Sequence, residues 1–154
     1  MKLSRQIPAA RIAAALGCAA VLAGPAAADD LRFPSRDATS LNMRAAGQPF
    51  WALLADCAGT YGAGANWYAA HGDQDNADRM ASRGTTLMRE AMSRLQHDRG
   101  LNEADAKGTA AQMVYAGRDT AALFLDRERG PNETWNLKTA SCEQIQQSHH
   151  QHRG

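Results

Sequence analysis

Between Gln48 and Gly72 the chain reads QPFWALLADCAGTYGAGANWYAAHG, and no other stretch limits its fold so strongly. Phe50, Leu53, Leu54, Cys57, Tyr61, Ala65 and Tyr68 recur at steps of three and four, which predicts a helix over about 49–70 with one buried face. Pro49 suits the first helical turn, where its missing N–H has no partner to lose, and Gly72 can end the helix in a left-handed conformation. Gly59, Gly62 and Gly64 fall inside the same pattern. Each costs on the order of 1 kcal/mol relative to alanine in a helix interior. A neighbouring backbone packed close against the glycine face, or a kink near Gly62–Gly64, is expected to offset that cost.

The first 28 residues read as an address. Lys2, Arg5 and Arg11 form a basic region, residues 12–22 an apolar core, and Ala26-Ala27-Ala28 a small-residue cleavage site before Asp29. The apolar run of roughly 11 residues is too short for a membrane span, which needs about 20. A bacterial signal peptide cleaved after Ala28 is therefore expected. Lipidation at Cys18 fits poorly, because this cysteine lies inside the apolar run and not just after it.

Three of the 17 basic residues leave with the signal while all 16 acidic ones stay, so the formal charge moves from +1 to −2. That balance gives no footprint for nucleic acid and no polybasic attraction to anionic lipid. Past residue 28 every apolar run is broken by polar residues such as Asp56 and Asn66, so no insertion into a membrane is expected after cleavage. A periplasmic or secreted, soluble protein follows.

Signal removal also takes Cys18 and leaves Cys57 and Cys142, an even pair for an oxidising compartment. Neither sits in a C-x-x-C or beside a histidine, which argues against a catalytic thiol.

Four helices are predicted. Residues 29–47 form a surface arm, disordered in part at its start. After helix one, His71 to Asn76 is a polar hinge in which Asp73 or Asp75 caps a second helix over about 76–99. That helix buries Met80, Gly84, Leu87, Met88, Ala91 and Leu95, carries Glu90–Arg94 as an i,i+4 pair, and stops at Gly100. Asn102 with Asp105 resembles a capping box for a third helix, expected to run to about Arg129 before Gly130-Pro131. A short fourth helix spans about 133–148 and presents Trp135, Cys142 and Ile145, and residues 149–154 form a disordered tail.

Short connections between amphipathic helices argue for an all-α, antiparallel four-helix bundle, up-down-up-down, over residues 48–148. In that topology Cys57, roughly 12 Å from the start of its helix, and Cys142, roughly 9 Å from the end of its own, arrive at similar heights. A bridge between them would close a loop of about 86 residues and contribute roughly 4–5 kcal/mol.

Candidate sites are few. His149, His150 and His152 could chelate a transition metal, although a flexible tail has nothing to orient them. Trp51, Trp67 and Tyr68 fall at the edge of the helix-one stripe, as core lids or as contacts for another protein. The acidic hinge Asp73-x-Asp75-x-x-Asp78 lacks the spacing of a calcium loop. Met80, Met88, Met92 and Met113 match adaptable core filling better than copper ligation. Asn132-Glu133-Thr134 matches a glycosylation acceptor, which a bacterial protein leaves unused.

No G-x-S-x-G, H-E-x-x-H, phosphate loop or C-x-x-C-H occurs, and no cofactor is implied. The expectation is a non-enzymatic module, structural or binding another envelope or extracellular protein. The alternative is a metal-handling protein that uses the histidine cluster.

Overall fold

The computed structural model describes residues 30–126 and 130–152. The proposed signal peptide lies outside them. The described residues are helical apart from one minimal ladder and an isolated bridge between Arg32 and Pro49: α1 (Phe50–Ala70), α2 (Gln74–Arg99), α3 (Glu103–Ala122), the two-residue strands β1 (Leu125–Asp126) and β2 (Gly130–Pro131), and α4 (Glu133–Gln151). Among the described residues no helix is long and apolar enough to cross a membrane.

Local chemistry sets the boundaries. Asp73, Asn102 and Asn132 each cap a helix by accepting the backbone N–H three residues on, at 3.1, 2.9 and 2.9 Å. Gly100 ends α2 at φ 63°, a conformation that costs glycine little. Pro49 stands one position earlier than expected, as the residue before the first helical turn.

Helix α1 is the centre of the molecule. Thirteen of its 21 residues are buried, so its first two-thirds is covered around most of its circumference and not along one face. It packs against α2, α3 and α4. Towards α2, Trp51 lies under Arg99, Tyr61 beside Arg83, and Gly64 beside Met80. Towards α3, Gly59 meets the backbone of Val114 and Arg118, and Gly117 meets the backbone of Asp56. The expected close approach to the glycine face is thus present at Gly59. A Cβ built on Gly62 would meet nothing within 4 Å. Small residues make the contact possible, since the buried positions of α3 are Ala106, Ala110, Gly117 and Ala121. Cys57 and Cys142 are bridged, with Cα atoms 5.5 Å apart and both side chains buried.

Three expectations need correction. First, α3 ends at Ala122, seven residues short of Arg129. The chain turns there, and Phe124 and Leu125 pack on the small cluster of Ala63, Ala121 and Trp135. The apolar spacing that suggested a longer helix belongs to this turn. Gly130, at φ 85°, lets the chain return against the Trp67 ring.

Second, the arm is part of the core. Phe33 is buried edge-on against Phe50, with ring centroids 5.7 Å apart. Backbone bonds Phe33 N–H to Gln48 O (2.8 Å) and Phe50 N–H to Leu31 O (2.8 Å) fasten it across the start of α1. Asn42, also buried, donates to Gln144 on α4 at 3.1 Å. The arm covers the apolar N-terminal end of α1, which the helices leave open. Periodicity could not reveal it, because its two short 3₁₀ turns have no long repeat.

Third, α4 continues to Gln151, and His149 is only 1% exposed. Residues 149–152 are therefore not a disordered tail. His149 lies against the Phe50 ring at 5.2 Å, which supplies the apolar partner that the local sequence lacks.

Asp98 joins the arm to α2. It is 2% exposed, accepts the Leu31 N–H at 3.0 Å, pairs with Arg94, and lies 2.9 Å from His97 Nδ1. Burial works to raise its pKa, but the bonds from His97, Arg94 and Leu31 outweigh burial and hold it below the ordinary carboxylate value. Asp30 is lowered too, first by its hydrogen bond from Arg99, which reaches it at 2.6 Å. A carboxyl with a depressed folded pKa binds protons more weakly than in the unfolded chain. Its contribution is thus complete above the unfolded value of about 4 and is lost as pH falls through the folded one. Stability measured by urea midpoint should fall steeply in acid below about pH 4. Asp98→Asn should cost about 2 kcal/mol at pH 7 and flatten that acid limb. An acid limb in the variant parallel to that of the native protein would rule Asp98 out as its source.

Candidate functional site

Between α3, α4 and the arm, one flank of α1 is left uncovered. The resulting groove has a volume of about 450 Å³. Ala52, Leu53, Met113 and Ile145 supply an apolar floor, and Leu41, Phe124 and Leu137 line the groove with them. Leu41 is 38% exposed, Leu137 47%, and Met43, on the adjoining arm surface, 70%. The cause lies in the helix contacts. Glycine and alanine draw α3 onto one side of α1, while the disulfide and Trp135 hold α4 to another, and the flank between them opens. Asp56 and Lys138 form an ion pair in its wall, each about a quarter exposed, with Arg44 nearby.

This arrangement suits binding. Two partly exposed leucines beside an apolar floor can desolvate an apolar side chain, and the flanking charges can orient it. Asp56, His71 and Tyr61 lie apart from one another, each with its own partners. Asp56 is held by Lys138, and the Tyr61 hydroxyl accepts from Arg83 at 3.4 Å, itself bonded to Glu143. His71 stacks on Trp67 at 3.9 Å, fifteen residues or roughly 22 Å along the helix from Asp56.

The three aromatics singled out in the sequence are not one surface. Trp51 is 9% exposed and carries the Arg99 guanidinium over its ring at 4.7 Å, so it is a lid on the core. Trp67 and Tyr68 are half-buried, in edge contact at 5.1 Å, near the other end of α1. Sixteen residues, roughly 24 Å of helix, separate the two tryptophans. The groove leucines were missed because Leu41 and Leu137 are isolated apolar residues in polar surroundings.

The histidine cluster is also rearranged. His149 and His150 turn towards Glu90 on α2, at 3.6 Å (Nδ1 to Oε2) and 3.0 Å (Nε2 to Oε1). His152 goes elsewhere: its Nδ1 lies 2.8 Å from Ser148 O, and its Nε2 lies 3.0 Å from the Arg36 guanidinium. The expected Glu90–Arg94 pair gives way to Arg94–Asp98, also i,i+4. Beside the cluster lies a cavity of about 430 Å³, lined by Arg89, Ser93, Arg94 and His97 together with Glu90 and His149. The sequence offers Glu90 only as a partner for Arg94, and the packing of α4 on the fold brings it to the histidines. Comparison with protein-family models, with curated proteins and with solved structures finds no match for this chain.

Proposed function

We propose that this is an exported, non-enzymatic binding module that holds an apolar segment of another envelope or extracellular protein in the groove between α3, α4 and the arm. The observation that carries the reading is the pair of partly exposed leucines, Leu41 and Leu137, beside an apolar floor. An apolar side chain seated there would remove both leucines from water, a gain that grows with the apolar area covered. Export to the periplasm or beyond, with the signal cleaved after Ala28, is supported by the basic-apolar-small pattern of residues 1–28 and by a disulfide that fits an oxidising compartment. An antiparallel up-down-up-down bundle is supported by the residue pairs: Trp51 with Arg99 and Gly64 with Met80 for α1 and α2, Cys57 with Cys142 and Gly64 with Trp135 for α1 and α4.

The test is a pull-down from the native envelope at several salt concentrations. It compares the native protein with a Leu41→Asp/Leu137→Asp variant whose fold is checked by circular dichroism. The native protein should recover a discrete partner, and the variant should lose at least tenfold of it. A charge on each rim would then be buried unpaired on binding. Equal recovery by both proteins, or recovery of nothing by the native one, removes the reading.

A further inference from the structure

We propose that Glu90, His149 and His150 form a binding site for a divalent transition metal ion, Zn²⁺ above all, independent of the groove. The three residues each offer a donor atom, and these atoms all lie within 4.8 Å of one another. A tetrahedral ion with bonds of 2.0–2.1 Å needs its ligands about 3.3 Å apart. Glu90 Oε1 already stands 3.0 Å from His150 Nε2, and its other oxygen, Oε2, stands 3.6 Å from His149 Nδ1. Small side-chain adjustments therefore close the set around an ion.

Preorganisation separates this set from three histidines on a loose tail. Glu90 comes from α2 and the histidines from α4, so the geometry exists only in the folded chain. Two of the three ligands are enclosed, with His149 at 1% side-chain exposure against Phe50 and Glu90 at 12%. Fixed ligands lose little freedom on binding. Two imidazoles and one carboxylate are the donor chemistry of Zn²⁺, Cu²⁺ and Ni²⁺, whereas Ca²⁺ and Mg²⁺ take oxygen ligands. Three protein ligands leave a fourth position for water or a small anion, and the adjoining cavity has room for it. Arg89 lines that cavity and favours an anion there, whereas Arg94, also in the lining, is neutralised by Asp98.

His152 provides an internal control. It belongs to the same sequence cluster but is engaged with Ser148 and Arg36. Isothermal calorimetry of Zn²⁺ into tag-free, disulfide-intact protein should give one ion per chain. His150→Ala removes a side chain that is 47% exposed, so the fold should survive it. That variant and Glu90→Gln should each weaken binding at least tenfold, while His152→Ala should bind as the native protein does. Mg²⁺ under the same conditions should give no heat of binding. Absence of Zn²⁺ binding by the native protein, native-like binding by both His150→Ala and Glu90→Gln, or an equal loss in His152→Ala and His150→Ala would overturn the site. The last of these results would mean promiscuous chelation by any nearby pair of imidazoles.

Discussion

Gly59→Ala should destabilise the protein by about 3 kcal/mol or more, at the upper end of what overpacking costs. A Cβ at position 59 would stand 2.0 Å from the Val114 carbonyl oxygen and 2.6 Å from the Arg118 nitrogen. Both are backbone atoms of α3, so no rotamer change relieves the clash, and the two helices must separate. Gly117→Ala tests the same contact from the other side, with the new methyl 2.2 Å from Asp56 O. Because both substitutions push on one interface, their effects should not add: once the helices have parted, the second methyl meets less resistance. Gly62→Ala supplies the opposite sign. Its Cβ would meet nothing within 4 Å, so the gain in helix propensity, up to about 1 kcal/mol, should appear with little opposing it. Urea midpoints at unchanged slope report all three. If Gly59→Ala and Gly62→Ala moved the midpoint in the same direction, the close α1–α3 approach would be wrong.

Removing the bridge as Cys57→Ala/Cys142→Ala should cost roughly 4–5 kcal/mol, the loop entropy released when two positions so far apart in the chain are untied. A domain of this size has a total stability of about 5–15 kcal/mol, so about a quarter or more of it depends on one bond. The melting temperature should drop by about 15–20 °C. Both sulfurs are buried, each residue being 1% exposed, so a reducing agent should act slowly on the folded protein and quickly once denaturant opens it. Two freely alkylated thiols in unreduced, exported protein would refute the bridge, and with it the support for an oxidising compartment.

The staple was legible because cysteine counting needs no geometry beyond helix rise and chain direction. The helix ends were legible for a similar reason. Asp73 and Asn102 stand three residues before the N–H they cap, and Gly100 stands where α2 must stop. Such interactions are local in sequence. The end of α3 was not legible, because what draws Phe124 and Leu125 out of the helix is a cluster built with Ala63 and Trp135, distant in the chain. The arm failed for the same reason. Phe33 reads as one aromatic among polar residues until Phe50 and the end of α1 are placed beside it.

The sites divide along the same line. Sequence marked His149 and His150 as possible ligands but grouped them with His152, since adjacency in the chain was the only distance available. Helical phase and the burial of His149 under Phe50 separate them in space, and Glu90 from another helix replaces His152.

From the sequence alone came the four-helix composition, most helix boundaries, the pairing of Cys57 with Cys142 and the expectation of export. Each rests on contacts within a few residues or on counting. The folded arrangement alone decided that α1 would be enclosed on all but one flank, that the arm would seal its start, that a groove would open on that flank beside Asp56 and Lys138, and that Glu90 would meet two imidazoles. These depend on how closely helices approach, and that distance is set by pairs such as Gly59 with Val114, which lie far apart in the chain.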